Sequence, residues 1–193
     1  MRLLSLLVLA VVPSPSVLSA QARPSAFETM DVSLALLADV NQGLLHRHWS
    51  PGPAFGAGVT LPFYLGTVET GVQYAHPEAL RGGVPGFRSL FIYAGWGGGH
   101  ELGGGVRAGG GLRVGMLAMR FDGDSLAAFR RRESELGLAA RATLRWMPRG
   151  PWFTEASVIY QSILTHHPME QVFLSAGFGR RFGTPEWLRD FLD

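Results

Sequence analysis

The chain has 193 residues, is 47% hydrophobic and contains no Cys, so a disulfide framework, thiol catalysis and a Cys-ligated metal are excluded. All 17 basic side chains are Arg, set against 15 acids; a net charge of +2 beside that apolar fraction excludes a disordered chain and argues against nucleic-acid binding. The 26 glycines follow no triplet period, which excludes a collagen-like chain and leaves high glycine beside high hydrophobicity to be explained.

The N-terminus reads as an export signal. Met1-Arg2 precedes an apolar run from Leu3 to Val12 interrupted only by Ser5, the length of a signal-peptide core. It is too short to cross a bilayer as a helix, which takes ~20 residues. Pro13 and Pro15 break it, and Ala20-Gln21-Ala22 supplies small residues for cleavage after Ala22. Residues 1–22 are therefore expected to be removed, leaving a mature chain from 23.

Eight segments of period-2 alternation follow. The first, about 29–40, sets Val32, Leu34, Leu36, Ala38 and Val40 against Asp31, Ser33, Ala35, Leu37 and Asp39. The second, about 53–61, aligns Phe55, Ala57, Val59 and Leu61 opposite Gly56, Gly58 and Thr60. The third, about 65–75, sets Val68, Thr70, Val72 and Tyr74 against Thr67, Glu69, Gly71 and Gln73. The fourth, about 87–97, has Leu90, Ile92, Ala94 and Trp96 opposite Phe91, Tyr93 and Gly95. The fifth, about 102–119, sets Val106, Ala108, Leu112, Val114, Met116 and Ala118 against Arg107, Gly109, Gly111, Arg113 and Gly115. The sixth, about 133–147, has Leu136, Leu138, Leu144 and Trp146 opposite Glu135, Gly137, Arg141 and Arg145. The seventh, about 152–162, has Ala156, Val158 and Tyr160 opposite Glu155, Ser157 and Gln161. The eighth, about 170–182, has Val172, Leu174, Ala176 and Phe178 opposite Phe173, Ser175, Gly177, Gly179 and Arg181.

Each segment is long enough to cross a bilayer as a tilted strand, ~9–11 residues. The connections, roughly 41–52, 62–64, 76–86, 98–101, 120–132, 148–151 and 163–169, alternate long and short. That is the loop pattern of an outer-membrane barrel with short periplasmic turns and longer external loops. Pro62, Gly97–Gly99 and Pro148–Pro151 supply turn chemistry for the short ones. Aromatic residues favour the two membrane interfaces. Trp96, Trp146, Trp152 and Phe182, with Phe63 and Tyr64, fall at the predicted periplasmic ends, and Trp49 and Tyr74, with Phe87, Phe121 and Tyr160, near the external ends.

Inward positions hold Asp31, Asp39, Glu69, Glu135 and Glu155 against Arg107, Arg113, Arg141, Arg145 and Arg181. Eight strands leave an interior filled by side chains, and buried charges must be paired. The expectation is an ion-pair network plugging the lumen, in preference to an ion path or a catalytic cluster. Arg suits this because its planar fork binds carboxylates bidentately.

The signal peptide, eight strands, loop alternation and polar lumen resemble the small eight-stranded outer-membrane β-barrel proteins of Gram-negative bacteria, of OmpA/OmpX-like architecture. Val172-Phe173-Leu174-Ser175-Ala176-Gly177-Phe178-Gly179-Arg180-Arg181-Phe182 is similar to their final strand, which ends in an aromatic residue. The resemblance implies an all-β, up-and-down transmembrane barrel over 23–182, outer-membrane location, contact with outer-membrane lipids, lipopolysaccharide and the assembly machinery, a monomer, and no cofactor. One departure is that Gly183 to Asp193 follow Phe182. Thr184-Pro185-Glu186 is a helix start with Thr as cap, and Trp187, Leu188, Phe191 and Leu192 fall on one side, so 183–193 reads as a short amphipathic periplasmic tail.

Candidate chemistry is sparse. His46, His48, His76, His166 and His167 fall in predicted external loops, where they are solvated polar groups before they are metal ligands. Arg130-Arg131-Arg132 is either a solvated charge run or a contact for lipopolysaccharide phosphates. Some eight-stranded barrels modify lipid A, and one group of lipid A deacylases carries a His-x-Ser pair late in the chain. Here that stretch reads Tyr160-Gln161-Ser162, so the serine matches and the histidine does not. A catalytic alternative would need Ser162 served by His166 or His167, with Glu170 orienting the base. The remaining alternative, a soluble lipocalin-like barrel, requires apolar residues inside and polar ones outside, against the charge placement. The reading is a non-enzymatic barrel with a closed polar lumen and a structural or interaction role through its external loops.

Overall fold

Strict alternation makes each strand apolar on one face and small or polar on the other, and a sheet of eight such strands can hide every backbone edge only by closing on itself. The computed structural model describes residues 26–40, 45–80, 85–122, 132–165 and 169–192. The predicted signal peptide 1–22, with Arg130, Arg131, His166 and His167, lies outside the described residues.

The strands are β1 (Thr29–Asp39), β2 (Ala54–Phe63), β3 (Gly66–Ala75), β4 (Phe87–Gly103), β5 (Val106–Phe121), β6 (Arg132–Trp146), β7 (Trp152–Leu164) and β8 (Met169–Gly183). Each pairs antiparallel with its sequence neighbours, and β8 returns to β1 through the register Thr29–Gly183 to Asp39–Phe173, closing the barrel. A short helix α1 (Leu45–His48) lies between β1 and β2, and α2 (Glu186–Leu192) follows β8. The start of β1, the end of β8 and the turns after β2, β4 and β6 share one end of the barrel, here the terminal end; the other four connections leave from the loop end.

The periodicity places the strands and misplaces two turns. The β4–β5 turn was expected at 98–101, yet Gly97, Gly98 and Gly99 lie within β4 and pair with Gly111, Gly110 and Gly109. The chain reverses at Gly103, Gly104 and Gly105, whose φ values of 95°, 61° and 77° are left-handed and open to glycine without strain. Pro62 likewise belongs to β2, opposite Thr67, and the reversal falls at Tyr64-Leu65. The alternation of loop lengths also weakens at the last pair. Because β7 runs to Leu164 and β8 begins at Met169, that loop is shorter than the Met147–Pro151 turn.

Outward positions carry the exposed apolar belt: Leu34 and Leu36 on β1, Phe55 on β2, Ile92 on β4, Leu112, Val114 and Met116 on β5, Leu136 and Leu138 on β6, Val158 on β7, and Leu174 and Phe178 on β8. A contiguous patch of this size is unfavourable in water and is satisfied by hydrocarbon. It excludes the lipocalin-like alternative, whose outer face must be polar. Leu61 shares the outward parity of Phe55 yet is buried.

The tail departs from its expected capping. The Pro185 carbonyl accepts from the amides of Leu188 and Arg189, at 3.0 and 3.1 Å, so Pro185 rather than Thr184 occupies the cap position of α2. Thr184 is buried; its N–H donates to the Glu28 carbonyl at 3.0 Å, and its Oγ1 has no hydrogen-bond partner among the described residues. Trp187 is exposed. The side chains of Phe191 and Leu192 lie outside those described.

Candidate functional site: the lumen and its mouths

The inward faces divide the lumen into two layers. In the terminal half, seven charged side chains form one alternating chain. Arg113 grips Glu69 bidentately, Nε to Oε1 at 2.7 Å and Nη2 to Oε2 at 3.1 Å. Arg141 Nη1 reaches the same Glu69 at 3.1 Å and its Nη2 reaches Glu155 at 3.6 Å. Arg145 donates to Glu155 at 2.9 Å and to Asp31 at 2.7 Å. Arg181 closes the series with a bidentate hold on Asp31 at 2.8 and 3.0 Å. The chain crosses β5, β3, β6, β7, β1 and β8, so it ties together strands that are not neighbours. Four cations face three carboxylates, which is paired but not neutral.

Three members of the expected set stand apart. Arg107 lies 3.9 Å from Glu101, a partly exposed pair at the terminal mouth. Asp39, at the loop end of β1, faces His46 Nε2 at 3.3 Å and accepts from Gln171 Nε2 at 3.2 Å. Glu135, near the start of β6, makes no ion pair with a described residue. Alternation gives the face of a residue but not its height or its partner: Asp39 and Glu135 have the inward parity at heights away from the chain, whereas Arg107, directly opposite Arg145 in the register, borders the chain and turns to Glu101.

The loop half is built mainly on apolar side chains, with the buried Gln73, Ser89, Gln161 and Gln171 among them. Leu45, Phe87, Phe91, Tyr93, Leu117, Met119 and Ile163 form one buried cluster, and Leu37, Ala54, Ala139, Ile159 and Phe173 another. The two layers meet where Arg113 lies over the Tyr93 ring, 4.3 Å from its centroid; at the terminal end Arg145 lies 4.0 Å over Phe153. Sequence reasoning set Phe91 and Tyr93 on the inner face but gave the filling of the lumen to charges, and it did not place Phe153. The signal for Phe153 was its parity with Glu155. The inward glycines make room for them: a Cβ on Gly71 would meet the Tyr93 hydroxyl, one on Gly137 the Phe91 ring, and one on Gly179 the Phe153 ring. Within the charged layer a cavity of about 70 Å³ remains, walled by Thr60, Thr67, Arg107, Arg141 and Gly109–Gly111.

The loop mouth is roofed. α1 buries Leu45, and Trp49 donates from Nε1 to the Pro85 carbonyl at 2.7 Å with its ring edge-on to Phe87, centroids 5.5 Å apart. Trp49–Ser50 pairs with Glu78–Ala79, stitching the first long connection to the second. Trp49 and Phe87, expected in the external girdle, instead close the lumen. Tyr74 is outward and exposed at the loop end; Trp96, Trp146, Trp152 and Phe182 are outward and exposed toward the terminal end. Arg180 there lies over Trp152 and Phe182, 5.3 and 5.1 Å from their centroids.

Among the described residues the catalytic alternative is not assembled, and its candidate bases His166 and His167 lie outside them. Ser162 has the outward parity of Tyr160, whose hydroxyl donates to Glu170 at 2.8 Å, so the carboxylate proposed as orienter is engaged by the tyrosine. His46 and His48 are two apart on one helical turn, where side chains do not face each other; His46 is turned toward Asp39 and His48 is exposed. His76 lies 3.3 Å from Asp122. Among the described residues, no three His, Asp or Glu side chains converge as a metal site.

This architecture has solved counterparts. The chain is similar to Neisserial surface protein A, with a TM-score of 0.60 over 82% of this chain and 100% of that one at 15% identity. It is similar to the N-terminal β-barrel domain of OprF from Pseudomonas aeruginosa, TM-score 0.52 over 81% and 99% at 13% identity. It is also similar to outer membrane protein H of P. aeruginosa, TM-score 0.51 over 79% and 99% at 17% identity. The fold is that of the small eight-stranded outer-membrane barrels. No protein family matches the sequence, and no curated protein does.

Proposed function

We propose that this chain is a non-conducting barrel of the Gram-negative outer membrane whose role is structural or interactive, exerted through the surface that the loop end presents. The observation that carries this is the filled lumen. The charged chain from Arg113 to Arg181 crosses the terminal half, and the aromatic cluster under Leu45 and Trp49 fills the loop half. A continuous wet path is the requirement for a pore, and this interior offers salt bridges and rings in its place. The aliphatic belt and the likeness of the fold support the membrane location. The Tyr160–Glu170 hydrogen bond, which engages the carboxylate a Ser162-based site would need, favours a non-enzymatic role.

The test joins three measurements on the full chain. It is expected in the outer-membrane fraction, to give no stepwise conductance in planar bilayers, and to release no fatty acid from lipid A. Recovery as a soluble periplasmic protein overturns the location. Stable conductance steps overturn the closed lumen, and fatty-acid release lost in Ser162→Ala overturns the non-enzymatic reading.

A further inference from the structure

The outer face carries one row of charge that nothing in the lumen explains. Barrel register sets Arg88 of β4 directly opposite Arg120 of β5, and Arg120 directly opposite Arg132 of β6. All three are exposed and outward, and they lie at the loop-end edge of the belt. Residues directly opposite in adjacent strands have Cβ atoms ~5 Å apart, where like charges repel. One carboxylate stands near the row: Asp122 Oδ1 is 3.8 Å from Arg88 Nε, and its other oxygen is 3.3 Å from His76. Glu133, beside Arg132, has the inward parity and lies opposite Met119. Among the described residues, Asp122 is thus the one carboxylate within ion-pair reach of the three guanidiniums.

What lies beneath the row is apolar. One step toward the terminal end the same three strands present Leu90, Ala118 and Ser134; the next step presents Ile92, Met116 and Leu136, and the next Ala94, Val114 and Leu138. Tyr74, Leu90 and Glu133 join the three arginines around a surface groove of about 490 Å³, which therefore carries three cations against one carboxylate. The surface is therefore cationic at the headgroup level and aliphatic below it, the pattern that an anionic amphiphile matches along its own length. Arg is the side chain best suited to phosphate, through bidentate charge-assisted hydrogen bonds.

We propose that Arg88, Arg120 and Arg132 form a docking site for the phosphorylated headgroup of an outer-leaflet glycolipid, lipid A, whose acyl chains run down the Leu90–Ile92 and Ala118–Met116 rows. This rests on the outer-membrane reading above. The phosphates supply the negative charge that the row lacks, and the site orients the loop end at the outer surface.

The experiment uses the purified full chain in uncharged detergent micelles, so it does not depend on where the protein resides in the cell. Binding of bis-phosphorylated lipid A is read by native mass spectrometry, with its dephosphorylated form and phosphatidylglycerol as comparison probes. Lipid A is expected to bind at least tenfold tighter than either, and the Arg88→Gln, Arg120→Gln, Arg132→Gln triple variant to lose at least that factor. Arg180→Gln at the opposite end is expected to bind as the parent does. Equal binding by the triple variant, or equal binding of either comparison probe, overturns the site. A second readout keeps the test independent of folding yield. Arg120→Gln alone is expected to raise the unfolding temperature in bare micelles, by relieving repulsion, and to lower it when lipid A is present. The same sign in both conditions overturns the proposal, whereas absence from the outer-membrane fraction overturns only the location.

Discussion

Glu69 is the carboxylate on which two guanidiniums converge, Arg113 by a bidentate grip and Arg141 by one hydrogen bond. Removing one partner from a buried ion pair leaves the other charged and uncompensated, so Glu69→Ala is expected to destabilise the barrel by about 3–5 kcal/mol. Glu69→Gln keeps an acceptor for Arg113 and should lose less. Urea unfolding in detergent micelles measures both, and an unchanged midpoint for Glu69→Ala would show that the network carries no stability. Much of this network was legible at the level of single residues, because period-2 parity assigns each charge to a face. Parity does not assign height, and so Asp39 and Glu135 were grouped with arginines from which the barrel register separates them. Nor does parity weigh an inward Phe91, Tyr93 or Phe153 against an inward Arg. The aromatic rings occupy the space opened by Gly71, Gly137 and Gly179, so the glycine-rich inner face makes room for rings as well as for charges.

At the level of elements, the β4–β5 hairpin shows where sequence signals lose their specificity. Glycine marks both a reversal of the chain and a close approach of two strands, and this stretch contains both. Gly97, Gly98 and Gly99 lie against Gly111, Gly110 and Gly109 within the ladder, while Gly103 to Gly105 make the turn. The two roles separate by substitution. A Cβ on Gly111 would lie 2.9 Å from the Trp96 carbonyl oxygen and 3.1 Å from the Gly97 Cα, both backbone atoms that have little room to move. Gly111→Val is therefore expected to destabilise by about 1–3 kcal/mol through overpacking. At Gly104 the φ of 61° is left-handed and the space is open, so Gly104→Asn, which tolerates that conformation, should stay within about 0.5 kcal/mol of the parent. Equal losses at both positions in urea titrations would mean that the ladder glycines are not in close contact. The tail followed a similar course: the helix was legible from Pro185 and Glu186, but the cap was not, because Thr184 is drawn inward by its amide bond to Glu28.

For the whole molecule, the order of layers from outside to centre decides how each substitution behaves: hydrocarbon-facing belt, backbone wall, then a lumen divided into charged and apolar halves. A charge tolerated at Arg113, where Glu69 and Tyr93 receive it, has no partner one residue along the strand at Val114, which faces outward. Val114 is three register rows below Arg120 and well short of the β5 terminus at Val106, so it lies deep in the belt. Leu164 is equally outward but ends β7 at the loop end. An Arg on the lipid face of such barrels costs roughly 2–4 kcal/mol at the bilayer midplane and about 0–1 near the interface. Val114→Arg is therefore expected to lose the larger amount and Leu164→Arg the smaller, measured as unfolding free energy by urea titration of the barrel in phospholipid vesicles. In detergent micelles, which adapt their thickness around a solute, the difference should shrink. Equal costs in vesicles would mean that the belt is not immersed to different depths, and the transmembrane placement of the barrel would fail with it.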